Sequence, residues 1–405
     1  MVGQLFHGID SETLLAVPFF LLVGELMASS DVVHRMIRLS QTLVGHLRGG
    51  LAQVVTLFSM FFAGISGSSV ADVAVLTRTV APEMDKEGYD RSFTAALIAC
   101  ASTMANLIPP SIMAVVYGAT GNVSIGGLFL AGVVPGVLIG IGLMIYSYFW
   151  GPVGVMKPRA KFTEVAVAAR GAALPLIIPV IIMGGILSGW FTPTEAGMIA
   201  VRLHSHRADS GAAADARQGA AARLHVRRPA LFAAAGRRSR APRRSAGWSR
   251  TCAAPTSWPT TSPAFAGTDG RMIMLLLVVL FVIVGDFIDA VPAIIIFMPI
   301  ILKLTEVGHI NPLHMGVVII TTLVFGLITP PYGLSLLVAS KYVGVGFGKA
   351  LVRSLPLYIV FFLTIGFCVF FPDVVLWLPK MLLPESVGCF KVADRSRLHL
   401  SAIGT

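Results

Sequence analysis

The sequence predicts an all-α polytopic membrane protein whose two halves repeat each other and whose helices break in matching places. Three observations predict it: the composition, the length of the apolar runs and an internal register. Hydrophobic residues make up 55% of the 405 and charged residues only 13%, with a mean hydropathy of +0.81. Soluble domains carry about 25% charged side chains, so water-soluble enzyme folds are poor candidates.

A helix needs about 20 apolar residues to cross ~30 Å of hydrocarbon at 1.5 Å per residue. Runs that meet this, whole or broken, lie near 13–29, 51–77, 93–120, 127–150, 172–200, 272–302, 316–340 and 355–379. The polar stretches 78–91 and 157–170 between them read as loops. No basic segment precedes a short apolar core at the start, so no cleaved leader is expected. Basic residues in 157–170 and 341–353, against mixed signs in 78–91, leave the orientation unassigned. Cys100, Cys252, Cys368 and Cys389 show no metal-type spacing and read as thiols outside any disulfide frame or metal site.

The formal charge of +11 is unevenly spread. Residues 202–271 hold 13 Arg, three Asp and neither Lys nor Glu, a net +10, which leaves +1 for the rest of the chain. Four regions follow: 1–201, the Arg/Ala-rich stretch 202–271, 272–384, and a polar tail over 385–405.

Sliding the sequence against itself by 221 residues aligns Pro109-Pro110 with Pro330-Pro331, Pro135 with Pro356, Gly127 with Gly348, Leu130 with Leu351 and Gly64 with Gly285. Matches in one gapless register, each at the same place in an apolar run, point to a duplicated fold.

Each half then carries two irregular points inside apolar sequence. The first pair is 63–69 (Ala-Gly-Ile-Ser-Gly-Ser-Ser) and 285–289 (Gly-Asp-Phe-Ile-Asp); the second is 106–111 around Pro109-Pro110 and 327–333 around Pro330-Pro331. Proline removes a backbone donor and glycine frees the turn. In hydrocarbon, irregular backbone persists only where it lines a cavity or is otherwise satisfied. Freed carbonyls with Ser, Thr, Asn and Asp oxygens suit a small alkali cation, and half-helix amino ends suit an anion. The acids Glu25, Asp72, Asp286 and Asp289 lie in or beside apolar runs, where a charge costs about 2.5–3.5 kcal/mol. Asp289, beside the second tip, is the leading cation ligand.

Other readings stay open at this level. Gly, Ser and Pro also serve close packing and kinks in membrane helices. Gly64-Ile65-Ser66-Gly67 matches the short pattern of intramembrane serine proteases, although His7, His34, His46, His309, His314 and His399 all lie away from the middle of an apolar run. A channel would need a ring of carbonyls or charges around an axis.

The residues resemble a known family. The run 15–27 (Leu-Ala-Val-Pro-Phe-Phe through Gly24-Glu25-Leu26-Met27), the turn 64–69, Ile108-Pro109-Pro110-Ser111 with Tyr117-Gly118, Val123-Ser124-Ile125-Gly126, Phe191-Thr192-Pro193-Thr194-Glu195-Ala196 and the stretch 326–333 look like the large membrane subunit of tripartite ATP-independent periplasmic (TRAP) transporters. The similarity covers about 1–201 and 272–383. It implies an inverted-repeat architecture with re-entrant hairpins, in a sodium-coupled secondary transporter of the bacterial inner membrane that is not an enzyme. Such a subunit imports small organic acids, such as dicarboxylates or sugar acids, by an elevator-like movement. Its implied partners are a small membrane subunit, a periplasmic solute-binding protein, the lipid bilayer and the organic-acid substrate, with no nucleic acid. No cofactor is implied beyond sodium as coupling ion. By that resemblance Gly64, Ser66, Ser68, Asn106 and Pro109 would serve one sodium ion, and Gly285, Asp289, Thr329 and Pro330 another. Ser69, Ser111, Tyr332 and Gly333 would face the substrate.

The departures matter too. Family members begin with a further span before the position of Asp10. After Val201 the family pattern stops, to resume near Met272. The intervening 70 residues have no Ile, Lys, Glu, Asn, Tyr or Met, the composition of GC-rich codons read out of frame, yet they preserve the 221-residue spacing. A frameshift with a later compensating shift accounts for the abrupt edges, the Arg-without-Lys bias and the conserved length. It predicts a disordered segment and an impaired transporter.

Overall fold

The computed structural model describes residues 16–28, 32–152, 154–155, 158–211 and 270–387. Among these, all regular structure is helical. α1 (Ala16–Ala28) and the amphipathic α2 (Val32–Val44) precede α3 (Gly50–Ser66), which stops where Gly67 turns left-handed at φ 58°. α4 (Ser69–Thr79) leaves that turn, and α5 (Ala81–Lys86) and α6 (Arg91–Ser102) follow. Asp90 caps α6 by accepting the Ser92 amide at 3.0 Å. A 3-10 turn over Thr103–Asn106 leads into the Pro109-Pro110 break, and α7 (Ile112–Gly121) restarts behind it. α8 (Ile125–Phe149) is an uninterrupted span of 25 residues. α9 (Phe162–Leu187) and α10 (Pro193–Gly211) complete the first described stretch.

The second stretch runs through α11 (Gly270–Phe287), α12 (Ala290–Val307), α13 (Pro312–Gly326), α14 (Leu334–Val343) and α15 (Phe347–Phe370). Three short pieces close it: α16 (Pro372–Val375), α17 (Trp377–Leu382) and α18 (Pro384–Val387). By length and composition α8, α11, α12 and α15 can each cross a membrane, and α9 makes a fifth candidate with a 52° bend at Pro175. Their exposed apolar side chains, such as Ile145, Val180, Leu276 and Leu363, suit contact with lipid.

The 221-residue register is visible in the helices. α4 and α12 begin at Ser69 and Ala290, α6 and α13 at Arg91 and Pro312, and α8 and α15 end at Phe149 and Phe370, each pair 221 residues apart. The packing is reciprocal as well: α12 lies on α7 as α14 lies on α4, and α13 lies on α8 as α15 lies on α6.

Contacts at the helix ends show that the halves are inverted. At one face Gly49, before α3, lies against the Ser147 carbonyl near the end of α8, and Arg353 of α15 pairs with Asp90 at 3.0 Å. At the opposite face Gly127, near the start of α8, lies against Leu313 of α13, and Asn311 donates to the Val387 carbonyl at 3.3 Å. The hairpin of α3 and α4 opens on the first face. That of α11 and α12 opens on the second, where Gly270 lies against the Gly308 carbonyl.

Three sequence expectations change. Residues 78–91 are mostly helical, because Asp90 and Pro82 supply the cap and first-turn residue of two helices. α9 starts at Phe162, inside the expected 157–170 loop, with the Lys161 amide donating to Glu164 at 3.3 Å. The 172–200 run is no single span: Gly189 turns at φ 72°, and Thr192 and Glu195 exchange backbone bonds at 2.9 and 3.2 Å in a capping box. α10 carries ten residues past Val201, so the Arg-rich stretch begins as helix. Residues 212–269 and the tail beyond 387 lie outside the described residues, as do Cys252 and Cys389, whereas Cys100 and Cys368 are buried free thiols.

Candidate functional site

The broken points of each half meet. In the first half a Cβ on Gly64 would lie 3.5 Å from the Pro109 carbonyl oxygen, and one on Gly67 would run into that of Pro110. The tip of the α3–α4 hairpin therefore sits directly on the Pro-Pro break. α1 and α9 enclose it, with Gly24 against the Ser66 carbonyl and Pro179 against Gly64. Ser66, Ser69, Asn106, Pro109 and Ser111 are all buried, and Ser68 is half-buried at the position before α4.

The polar atoms of this site are unequally committed. Ser111 is fully used: its hydroxyl donates to the Asn106 carbonyl at 2.5 Å and accepts the Ala114 amide at 3.2 Å, capping α7. Ser66 Oγ and Asn106 Nδ2, by contrast, are buried without a hydrogen-bond partner. A buried polar atom left unmade costs about 1–3 kcal/mol, so a further partner at either atom would be stabilising.

In the second half Gly285 and Gly326 bring the tip and the break into backbone contact, where a Cβ on Gly326 would meet the Gly285 carbonyl oxygen at 2.6 Å. Thr329 donates its hydroxyl to the Asp286 carboxylate at 2.5 Å, and the Tyr332 amide donates to the Asp286 carbonyl at 3.0 Å. Asp289 caps α12, its carboxylate accepting the Ala290 amide at 2.9 Å. Gly333 turns left-handed at φ 41° before α14, and Pro330 is exposed. Glu25 is exposed as well.

The nine sodium-ligand candidates thus fall into two groups, each at one tip-and-break contact, with the four substrate candidates beside them. Sequence reasoning singled out Asp289 at this tip; the acid that ties the tip to its break is Asp286. It also missed Gly24, Pro179 and Gly326, whose role is close approach and whose only signal was small size or Pro inside an apolar run. Tyr358 was missed too; its hydroxyl donates to the Ile328 carbonyl at 2.5 Å and so satisfies one carbonyl of the second break.

The oxygens gathered at each contact are mainly backbone carbonyls and hydroxyls. Among the described residues no group of three or more His, Cys, Asp or Glu side chains forms a metal cluster. The two contacts stand at the amino ends of α4 and α7 in one half and of α12 and α14 in the other, where the helix dipoles present partial positive charge. His314, buried in α13, is taken up by the Cys368 carbonyl at 2.7 Å.

The sequence profile described as tripartite ATP-independent periplasmic transporter, DctM component, matches residues 1–204 and 261–374. The C4-dicarboxylate TRAP transporter large permease protein DctM of Pseudomonas aeruginosa is 34% identical over 400 residues, covering 94% of this chain and 89% of that protein. The sialic acid TRAP transporter large permease protein SiaM of Vibrio cholerae is 33% identical over 395 residues, covering 94% and 89%. The 2,3-diketo-L-gulonate TRAP transporter large permease protein YiaN of Escherichia coli is 34% identical over 386 residues, covering 93% and 88%.

Proposed function

The chain belongs to the DctM component family of tripartite ATP-independent periplasmic transporters, and on that premise we propose that it couples a sodium gradient to the import of small organic acids across the bacterial inner membrane. Substrate would arrive on a periplasmic solute-binding protein, and a small membrane subunit would complete the permease. The observation that carries the reading is the pair of tip-and-break contacts in inverted halves, at Gly64–Pro109 and Gly285–Gly326. Each sets irregular backbone of a hairpin tip against a break in apolar sequence, where half-helices end. Inverted repeats of this kind support alternating access by movement of one body against another, here an elevator-like shift. The relatives' C4-dicarboxylate, sialic acid and diketogulonate substrates support a carboxylate-bearing cargo.

The test is uptake of labelled organic acid by cells supplied with this chain, the small subunit and the binding protein. Replacing sodium by choline should abolish it, as should omitting the binding protein. Uptake unchanged by either would overturn the reading.

A second part of the proposal concerns the stretch that the family profile leaves out, 205–260. In the 221-residue register the counterparts of α1 and α2 fall at 237–249 and 253–265, within or overlapping that stretch. α1 encloses the first tip; its counterpart positions read Arg237-Arg238-Ser239-Arg240, side chains that lipid does not accept. A frameshift over 202–271 that leaves transport impaired fits this. Translating the coding DNA in its other two frames should give an apolar sequence, and hydrophilic sequence in both would sink the idea. Restoring the frame should raise uptake above that of the chain as it stands.

A further inference from the structure

One turn away from the first tip, towards the open end of its hairpin, a carboxylate is buried inside the helices. Asp72 of α4, Ser59 of α3 and Ser102 of α6 are each fully buried. The Ser59 and Ser102 hydroxyls stand beside the Asp72 carboxylate. The contacts are loose: both hydroxyls come within reach of the carboxylate, yet none of the four atoms closes a hydrogen bond of full geometry. Their neighbours in sequence tie them to the tip, because the Asp72 amide donates to the Ser68 carbonyl at 3.2 Å and Ser102 lies one turn before Asn106.

The duplicated fold supplies its own control. In the 221-residue register Ser59, Asp72 and Ser102 correspond to Leu280, Ala293 and Leu323. The same helices therefore pack with three apolar residues at these positions, so the polar set is not a requirement of the fold. An unpaired carboxylate in the membrane interior costs about 2.5–3.5 kcal/mol even on gentle scales, and such residues mark ion pathways. One negative charge with two neutral oxygens balances a monovalent cation; a divalent ion would leave net charge buried.

We infer that Asp72, with the Ser59 and Ser102 hydroxyls, holds a dehydrated sodium ion one helical turn from the first tip, at a position with no counterpart in the second half. The inference rests on the sodium-coupled reading above. It separates the halves by function: both have a tip-and-break contact, and only the first has this additional site.

The experiment uses the full chain in detergent, with sodium chloride replacing choline chloride at constant ionic strength. Bound radioactive sodium per chain and the thermal unfolding midpoint are both followed. The unaltered chain should bind sodium and unfold at higher temperature as sodium rises. Asp72→Asn should bind one sodium fewer, and the double variant Ser59→Ala, Ser102→Ala should bind at that site about tenfold more weakly or worse. Unchanged stoichiometry and affinity in these variants would overturn the inference while leaving sodium coupling intact. If Asp72→Asn does not fold, the serine double variant decides, since Ser→Ala is favourable in a helix. Absence of any sodium binding by both the unaltered chain and its frame-restored form would overturn the sodium reading itself, a result distinguishable from the first.

Discussion

The two hairpin tips share a register and differ in their surroundings. The first is sealed: α1 and α9 cover it, and Ser66 and Asn106 are buried beneath them. Among the described residues the second has no such cover: Phe287 is 68% exposed, Pro330 is exposed, and Asp286 and Asp289 are half-buried. Each tip solves the problem of broken backbone differently. The first leaves Ser66 Oγ and Asn106 Nδ2 unpartnered, whereas the second satisfies its acids with Thr329, the Tyr332 amide and the α12 cap. A duplicated scaffold thus fixes where helices break and leaves the chemistry at each break to individual side chains.

Substitutions at matched positions sharpen this contrast. The largest effect is expected from Gly67→Val. At φ 58° a branched side chain is strained by about 1–2 kcal/mol, and its Cβ would press on the Pro110 carbonyl, adding about 1–3 kcal/mol. The loss of folded protein should appear as faster thiol labelling of Cys100, which is fully buried in the native fold.

Next comes Ala293→Asp, which moves the first half's acid to its counterpart in α12, where Leu280 and Leu323 stand at the register positions of the two serines. With leucines in place of the two serines, the variant should lose about 2.5–3.5 kcal/mol and gain no sodium binding. A variant as stable as the parent would show that the second half also tolerates a buried acid, and the contrast would fail.

Thr329→Val should cost about 1–3 kcal/mol, because it strips the Asp286 carboxylate of its hydroxyl donor. Ser111→Ala, its opposite number in function, removes a helix cap and should cost about 1 kcal/mol. Thermal unfolding of the pair in detergent ranks them, and the reverse order would mean that the second break is not held by its acid.

The smallest effect belongs to Arg353→Ala. The Arg353–Asp90 pair links the two halves at the membrane surface but is exposed on both sides, so its loss should change stability by about 0–1 kcal/mol and vanish in high salt. A larger change would mean that this surface contact, rather than the buried packing, holds the halves together.

Much of this was legible beforehand because it depends on period, length and punctuation. Pro109-Pro110 and Pro330-Pro331 mark breaks wherever they fall, since proline cannot donate to a helix. The register carried from Gly64 to Gly285 and from Pro135 to Pro356 needs no tertiary information. Loop boundaries were harder: the charged residues of 78–91 and 157–170 look like loop, but Asp90 and Glu164 are there as helix caps. The choice between Asp286 and Asp289 was illegible for a similar reason. Three residues apart at one tip, they differ only in which neighbour comes within reach, and Thr329 lies 43 residues from Asp286.

The sequence by itself determined that the chain is a membrane protein of two repeated halves, broken in matching places, with an Arg-rich stretch between them. Composition, apolar length and proline act locally, so they survive without coordinates. Only the tertiary structure decided that the halves are inverted, that each tip rests on its own break, and that Asp72 lies buried between two serines of neighbouring helices. Those facts depend on which distant segments pack together, and a buried carboxylate has meaning only once its surroundings are known.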